Sequence, residues 1–115
     1  MPLKKTTKQI GDTHELQAKT FLESKGYYFL TQNYRCGRNE IDLIFEFEKT
    51  LIFVEVKFRK NNKYGNPEDF VTEAKLDRIM EASQDFIAQK DWKGDIRYDC
   101  IAITPQEILH FKDLA

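Results

Sequence analysis

Cysteine and histidine are scarce in this 115-residue chain, with two of each. Cys36 and Cys100 stand far apart, so they form neither a Cys/His metal-ligand spacing nor a disulfide framework. Reduced thiols in a cytoplasmic protein are the economical reading. No apolar run approaches the roughly 20 residues that a membrane span requires. The basic start, MPLKKTTKQIGD, has no apolar segment after it, which speaks against a secretory signal. An excess of either charge is also missing. Lys and Arg number 18 against 19 Asp and Glu, for a net charge of −1, which argues against a bulk basic nucleic-acid binder. There are no internal repeats and no low-complexity tract. With 41% hydrophobic and 32% charged residues, the chain is expected to form one soluble domain over 1–115, its core spanning about 11–103.

What the chain does have is a pair of strands carrying acids in unusual places. NEIDLIFEF and LIFVEVKFR are rich in Ile, Val, Phe and Leu and alternate with a period of two. In the first, Glu40, Asp42, Ile44 and Glu46 are expected on one face and Ile41, Leu43, Phe45 and Phe47 on the other. In the second, Leu51, Phe53, Glu55, Lys57 and Arg59 oppose Ile52, Val54, Val56 and Phe58. A turn centred between Glu48 and Lys49 sets Asp42 opposite Glu55, their Cβ atoms about 4.5–5.5 Å apart. Glu-Lys lacks the Asn-Gly signal of a two-residue turn, and a three-residue loop would make the pair diagonal.

The remaining elements follow in order. Residues 12–25 read as a helix capped by Asp12, with Leu16, Ala18, Phe21 and Leu22 as its apolar stripe and Gly26 as its stop. YYFLTQNYR (27–35) reads as a strand, NNKYGNP (61–67) as a loop, 68–89 as a second helix and IRYDCIAI (96–103) as a further strand. EILHFK suits a short edge strand. A long helix between strands of one sheet makes the class α/β, in the order α-β-β-β-α-β.

An acid inside an apolar strand destabilises the fold unless it is solvated, paired or metal-bound. Asp42 and Glu55 suit Mg²⁺ or Mn²⁺, which take one or two carboxylates plus waters and phosphate oxygens. Lys57, one pleat beyond Glu55, is placed to serve an attacking water. Glu-x-Lys alone arises often by chance; an Asp at hairpin-partner spacing makes it informative. Glu15 has two readings. Asp12-Thr13-His14-Glu15 matches a capping box, yet the residue also leans to the core side of its helix and could join an acidic cluster. Basic residues flank the hairpin: Arg35 and Arg38 before it, and Arg59, Lys60 and Lys63 after it, with Lys4, Lys5 and Lys8 at the start. Arg59, Lys60, Lys63 and Lys75 are candidates for phosphate contacts. His14 and His110 read as surface imidazoles, and the tyrosines and Trp92 as packing residues or stacking platforms.

GDTHELQAKTFLESKGYYFLTQNYR, NEIDLI, LIFVEVKFR, YGNPEDFVTEAKLDRI and IRYDCIAI, taken in order, resemble the YraN-like family of small bacterial proteins. That family is similar in turn to Holliday-junction resolvases and restriction endonucleases of the PD-(D/E)xK type. The resemblance implies a restriction-endonuclease-like core, a mixed central sheet flanked by helices. By position, Asp42 and Glu55 match the metal-binding acids, Lys57 the catalytic lysine, and Glu15 the first-helix acid of the resolvase-like branch. Asn39 departs from the Gly usual before Glu-Ile-Asp, and Asn tolerates a positive φ. The expected function is a Mg²⁺- or Mn²⁺-dependent nuclease acting on DNA, without a membrane association. Reach across a duplex suggests a homodimer. The alternative is a binding module on the same fold that turns nothing over.

Overall fold

Period-two hydrophobicity builds a single five-stranded sheet in the computed structural model, which describes residues 6–60 and 69–115. Its strands are β1 (Tyr28–Cys36), β2 (Asn39–Phe47), β3 (Thr50–Phe58), β4 (Asp95–Ile103) and β5 (Ile108–Phe111), and they lie side by side in chain order. All neighbours pair antiparallel except β3 and β4, which run parallel. A parallel pair needs a long crossover, and helix α2 (Glu73–Lys90) supplies it. Helix α1 (Thr7–Ser24) covers the other face. Ala18 and Leu22 of α1 pack on Leu43, Phe45, Ile52, Val54 and Ile101, while Ile79 and Ala82 of α2 pack on Ile44, Leu51, Phe53 and Tyr98. The result is the expected mixed central sheet flanked by helices, with EILHFK providing the added edge strand.

Both helices begin elsewhere than their sequence suggests. The cap of α1 is Thr6, six residues before Asp12. Its hydroxyl accepts from Gln9 N at 3.1 Å, and the Gln9 side chain accepts from Thr6 N at 2.8 Å, a complete capping box. Asp12-Thr13-His14-Glu15 therefore lies inside the helix and caps nothing. Leu16, expected in the apolar stripe, is 61% exposed. Helix α2 starts at Glu73 rather than 68 because Thr72 caps it, and it ends at Asp91 in a left-handed conformation (φ 51°). Lys4, Lys5 and Lys63, with the expected loop over 61–67, lie outside the described residues.

The central hairpin has the two-residue turn. Glu48 and Lys49 both take positive φ (49° and 63°), supplying without glycine the geometry that a tight hairpin turn requires. Register follows from Phe47↔Thr50 to Leu43↔Val54. Asn39, where a positive φ was anticipated, is an ordinary strand residue paired with Cys36; Gly37 takes the positive φ (61°).

A buried charge network ties down the C-terminal end. Asp99 of β4 is 1% exposed, and it accepts from Arg97 Nε at 2.9 Å, Arg97 Nη2 at 2.8 Å and Asp113 N at 3.0 Å. His110 Nε2 lies 2.8 Å from its Oδ2, so this imidazole is a buried partner and not the surface group expected. Burial alone would raise the Asp99 carboxyl. The bonds from His110, Arg97 and Asp113 outweigh burial and hold it below its ordinary 3.8. Its folded pKa is thus the lower one, so its contribution is full above the unfolded value and is lost as pH falls through the folded value. Asp99→Asn should lower the unfolding free energy by about 3–5 kcal/mol at neutral pH, because the charged partners stay buried. At an acid pH below the ordinary 3.8 the gap to wild type should shrink as the native carboxyl protonates. Urea melts at both pH values measure this; an equal gap at both would contradict it.

Candidate metal centre

The site forms where β2 parts from β3. Pairing of the two strands ends at Leu43↔Val54, one step short of Asp42 and Glu55. Side-chain alternation breaks at the same place. Ile41 packs in the cluster under α2, whereas Leu43 packs in the cluster under α1. The β1–β2 ladder steps from Leu43↔Gln32 to Ile41↔Tyr34, which leaves Asp42 across from Asn33, a residue in the left-handed region (φ 52°). Glu40 and Asp42 consequently do not share a face with Ile44 and Glu46 as strict alternation would have it. Val56 N, left without a ladder partner from β2, donates instead to Asp42 Oδ2 at 2.8 Å. The carboxylate stands in for a strand and is fixed by doing so.

Acids converge on this gap from both sides of the sheet. Glu15 of α1, Glu40 and Asp42 each offer a carboxylate oxygen within 4.8 Å of the others. Asn33 supports the cluster: with its amide nitrogen turned toward α1, it lies 3.1 and 3.2 Å from the two Glu15 oxygens. A cleft of about 500 Å³ opens beside them, lined by Gly11, Asp12, Glu15, Asn33, Arg35 and Glu40. Glu55 approaches from β3, 5% exposed, and its carboxyl and that of Asp42 are close enough to share a proton. Lys57 Nζ lies 3.5 Å from Glu55 Oε1 and Lys75 Nζ 3.9 Å from Oε2, an oxygen that has no hydrogen-bond partner.

The electrostatics are those of charge held against its preference. Burial and then the Asp42 charge push Glu55 up to about 7, although Lys75 and Lys57 both pull it down. Asp42 is raised chiefly by burial, against the bond from Val56 N. Glu15 rises to about 7 through burial and the charges of Asp42, Asp12 and Glu40. Groups with shifts of this kind, crowded in a cleft, are what a site for a cation or a proton transfer looks like. All donors are carboxylate oxygens, one is buried without a hydrogen bond, and the cluster borders a cleft; this set fits Mg²⁺ or Mn²⁺ better than a softer metal.

Asp42, Glu55, Lys57 and Glu15 therefore meet at one place, with Asp42 as the member common to both sides. Lys75 joins them on the α2 side. The Arg59 guanidinium donates to Phe58 O at 3.0 Å and lies over the Phe70 ring, and Lys60 is exposed. Tyr27 and Tyr98 are buried packing residues, and Trp92 Nε1 donates to Asp95 O at 2.8 Å. Sequence reasoning missed Glu40 as a site residue. Its signal was the i, i+2 spacing to Asp42 in Glu-Ile-Asp, which places two acids on one side of a strand. Arg35 Nε holds Glu40 Oε2 at 3.0 Å in an exposed pair.

Residues 14–103 match the model of the uncharacterised protein family UPF0102, and the chain belongs to that family. It is 44% identical over 107 residues to a UPF0102 protein of Cytophaga hutchinsonii, covering 92% of this chain and 95% of that one. It is 42% identical over 98 residues to UPF0102 protein VP0448 of Vibrio parahaemolyticus, covering 84% and 81%. With UPF0102 protein YraN of Escherichia coli it shares 36% identity over 115 residues, 97% of this chain and 88% of that one.

Glu15 and Glu55 have folded pKa values near 7 against 4.5 for the free side chain. A raised folded value means that their favourable contribution is full below about pH 4.5 and lost as pH rises through 7. In the presence of a chelator, the Tm should fall across that window. Glu15→Gln should remove part of the fall and raise the Tm by a few degrees at pH 8, since an amide can still accept from Asn33. Calorimetric melts across pH measure it; a Tm that rises from pH 5 to 8 in both proteins would contradict the account.

Proposed function

We propose that this member of UPF0102 is a Mg²⁺- or Mn²⁺-dependent nuclease that hydrolyses phosphodiester bonds in DNA, with branched or processed DNA as the expected substrate class. The observation that carries the reading is the mutually repelling pair of buried Glu55 and half-buried Asp42, with Lys57 at 3.5 Å from Glu55. Two carboxylates in an apolar setting are a net liability for folding, and a site that binds a divalent cation gives them a use.

Asp42 and Glu55 would hold the cation, Glu15 would complete the acidic shell, and the Val56 carbonyl is a further candidate ligand. A cation bound there would neutralise the scissile phosphate and lower the pKa of an attacking water. Lys57 orients that water and offsets the charge that develops on the phosphoryl oxygens. The hydrogen bond from Val56 N fixes the Asp42 carboxylate, so little reorganisation is needed when charge arrives. Arg59, Lys60, Lys63 and Lys75 are the proposed contacts to flanking phosphates. Cleavage of both strands of a duplex by so small a chain calls for a second copy, and the proposed location is the cytoplasm. No helix among the described residues is long and apolar enough to cross a membrane.

Incubation of the purified protein with branched and nicked DNA in Mn²⁺ tests the reading, with cleavage expected. Lys57→Ala should slow it by about 10²–10⁴-fold, the scale of a positioned acid–base group, while the protein still binds Mn²⁺ and its Tm stays close to wild type. Salt-sensitive binding of DNA without any cleavage would favour the binding module instead.

A further inference from the structure

Lys75 occupies a position that its own helix disfavours. It is the third residue of α2, where a Glu or Gln side chain normally reaches back to the capping residue. Helix α1 shows the completed arrangement between Thr6 and Gln9. In α2 half of it survives: the Thr72 hydroxyl accepts from Lys75 N at 3.2 Å, but an ammonium has no acceptor with which to return the bond. A positive charge in the first turn also opposes the helix dipole. A residue that breaks two local rules in one place points to a demand from outside the helix.

That demand lies in the sheet. Lys75 Nζ is 3.9 Å from Glu55 Oε2, the buried oxygen without a hydrogen-bond partner, while Lys57 faces the other oxygen. At that distance the contact is one of charge, too long for a hydrogen bond, so it yields easily to a stronger cation. Two lysines thus bracket the Glu55 carboxylate, Lys57 from its own strand and Lys75 from the helix. The Lys75 side chain is 31% exposed, which leaves the ammonium a route outward.

We propose that Lys75 is a positioning residue of the metal centre: its ammonium stands at Glu55 Oε2 in place of a divalent cation, and a cation taking that oxygen frees it for the nucleic-acid backbone. The inference rests on the nuclease reading and adds to it a coupling. Metal binding strengthens nucleic-acid binding through Lys75, and by linkage nucleic acid strengthens metal binding by the same factor.

Lys75→Gln is the informative variant, because it removes the charge and supplies the capping-box side chain that α2 lacks. Its Tm should equal or exceed that of wild type. Titration calorimetry with Mn²⁺ should show binding at least about fivefold tighter than wild type, the effect of removing one unit charge about 4 Å away even at the dielectric constant of water. Fluorescence anisotropy with a labelled DNA duplex, with and without Ca²⁺, should show a metal-induced gain in wild type and in Lys75→Arg that is lost in Lys75→Gln. Lys90→Gln, the same charge change at the far end of the helix, should leave both readouts unchanged. Wild-type Mn²⁺ affinity or weaker in Lys75→Gln, or an equal gain in Lys90→Gln, would overturn the role of Lys75 and leave the nuclease reading standing. No Mn²⁺ binding by the wild-type protein would overturn both.

Discussion

Two carboxyl groups held side by side, the half-buried Asp42 and the buried Glu55, set the terms for the rest of this molecule. Their repulsion is a consequence of where they are held. Glu55 stands in the middle of β3, paired on one side by β4 through the Glu55↔Cys100 register, so it cannot swing out to water. Asp42 is fixed by Val56 N at the point where β2 stops pairing. Neither acid can relieve the other by moving. Relief has to come from a proton, from a lysine or from a cation, and the surroundings offer the first two already.

The sheet brings the helices to the site in complementary roles. Helix α1, packed on one face, contributes Glu15 and the acidic wall of the cleft. Helix α2, packed on the other, contributes Lys75. The acids thus accumulate on one side and the lysines on the other, with Asp42 and Glu55 between them. A polyanionic strand lying along the gap would meet cationic groups beside a centre that only a bound cation makes hospitable. The strain is offset elsewhere. At the C-terminal edge the equally buried Asp99 is fully satisfied by Arg97, His110 and Asp113 N. One molecule therefore contains two buried acids of opposite character: one held below its ordinary pKa by its partners, one driven up to about 7 by burial and the Asp42 charge beside it. That contrast separates an acid whose charge its surroundings stabilise from one whose charge they resist.

Much of this was legible in the sequence, and the exceptions have identifiable causes. The hairpin register followed from alternation together with a turn centred between Glu48 and Lys49, and the positive φ of both residues selects it over the diagonal pairing. Alternation failed beyond Leu43 because nothing in Glu-Ile-Asp announces the irregularity opposite Asn33. The start of α1 was misplaced because Asp12-Thr13-His14-Glu15, just after Gly11, has the pattern of a capping box, whereas Thr6 and Gln9 form the one that closes. A Cβ at Gly11 would meet nothing within 4 Å, and the helix runs straight through it. Misplacing the cap also obscured Glu15, whose carboxylate turns to the sheet from the third turn of an intact helix. His110 was out of reach for a different reason. Its partner Asp99 lies on another strand, and a pairing across a sheet edge leaves no trace in local spacing.

The central claim is that Asp42 and Glu55 together hold a divalent cation, and crystals soaked in Mn²⁺ test it most directly through anomalous diffraction. The account predicts one strong peak between the two carboxylates, about 2.0–2.3 Å from an oxygen of each, in the range of Mg²⁺- and Mn²⁺-type oxygen ligation. Lys75 should be displaced from Glu55 in the same map. A peak elsewhere, or none at saturating Mn²⁺ with both carboxylates still facing each other, would contradict it.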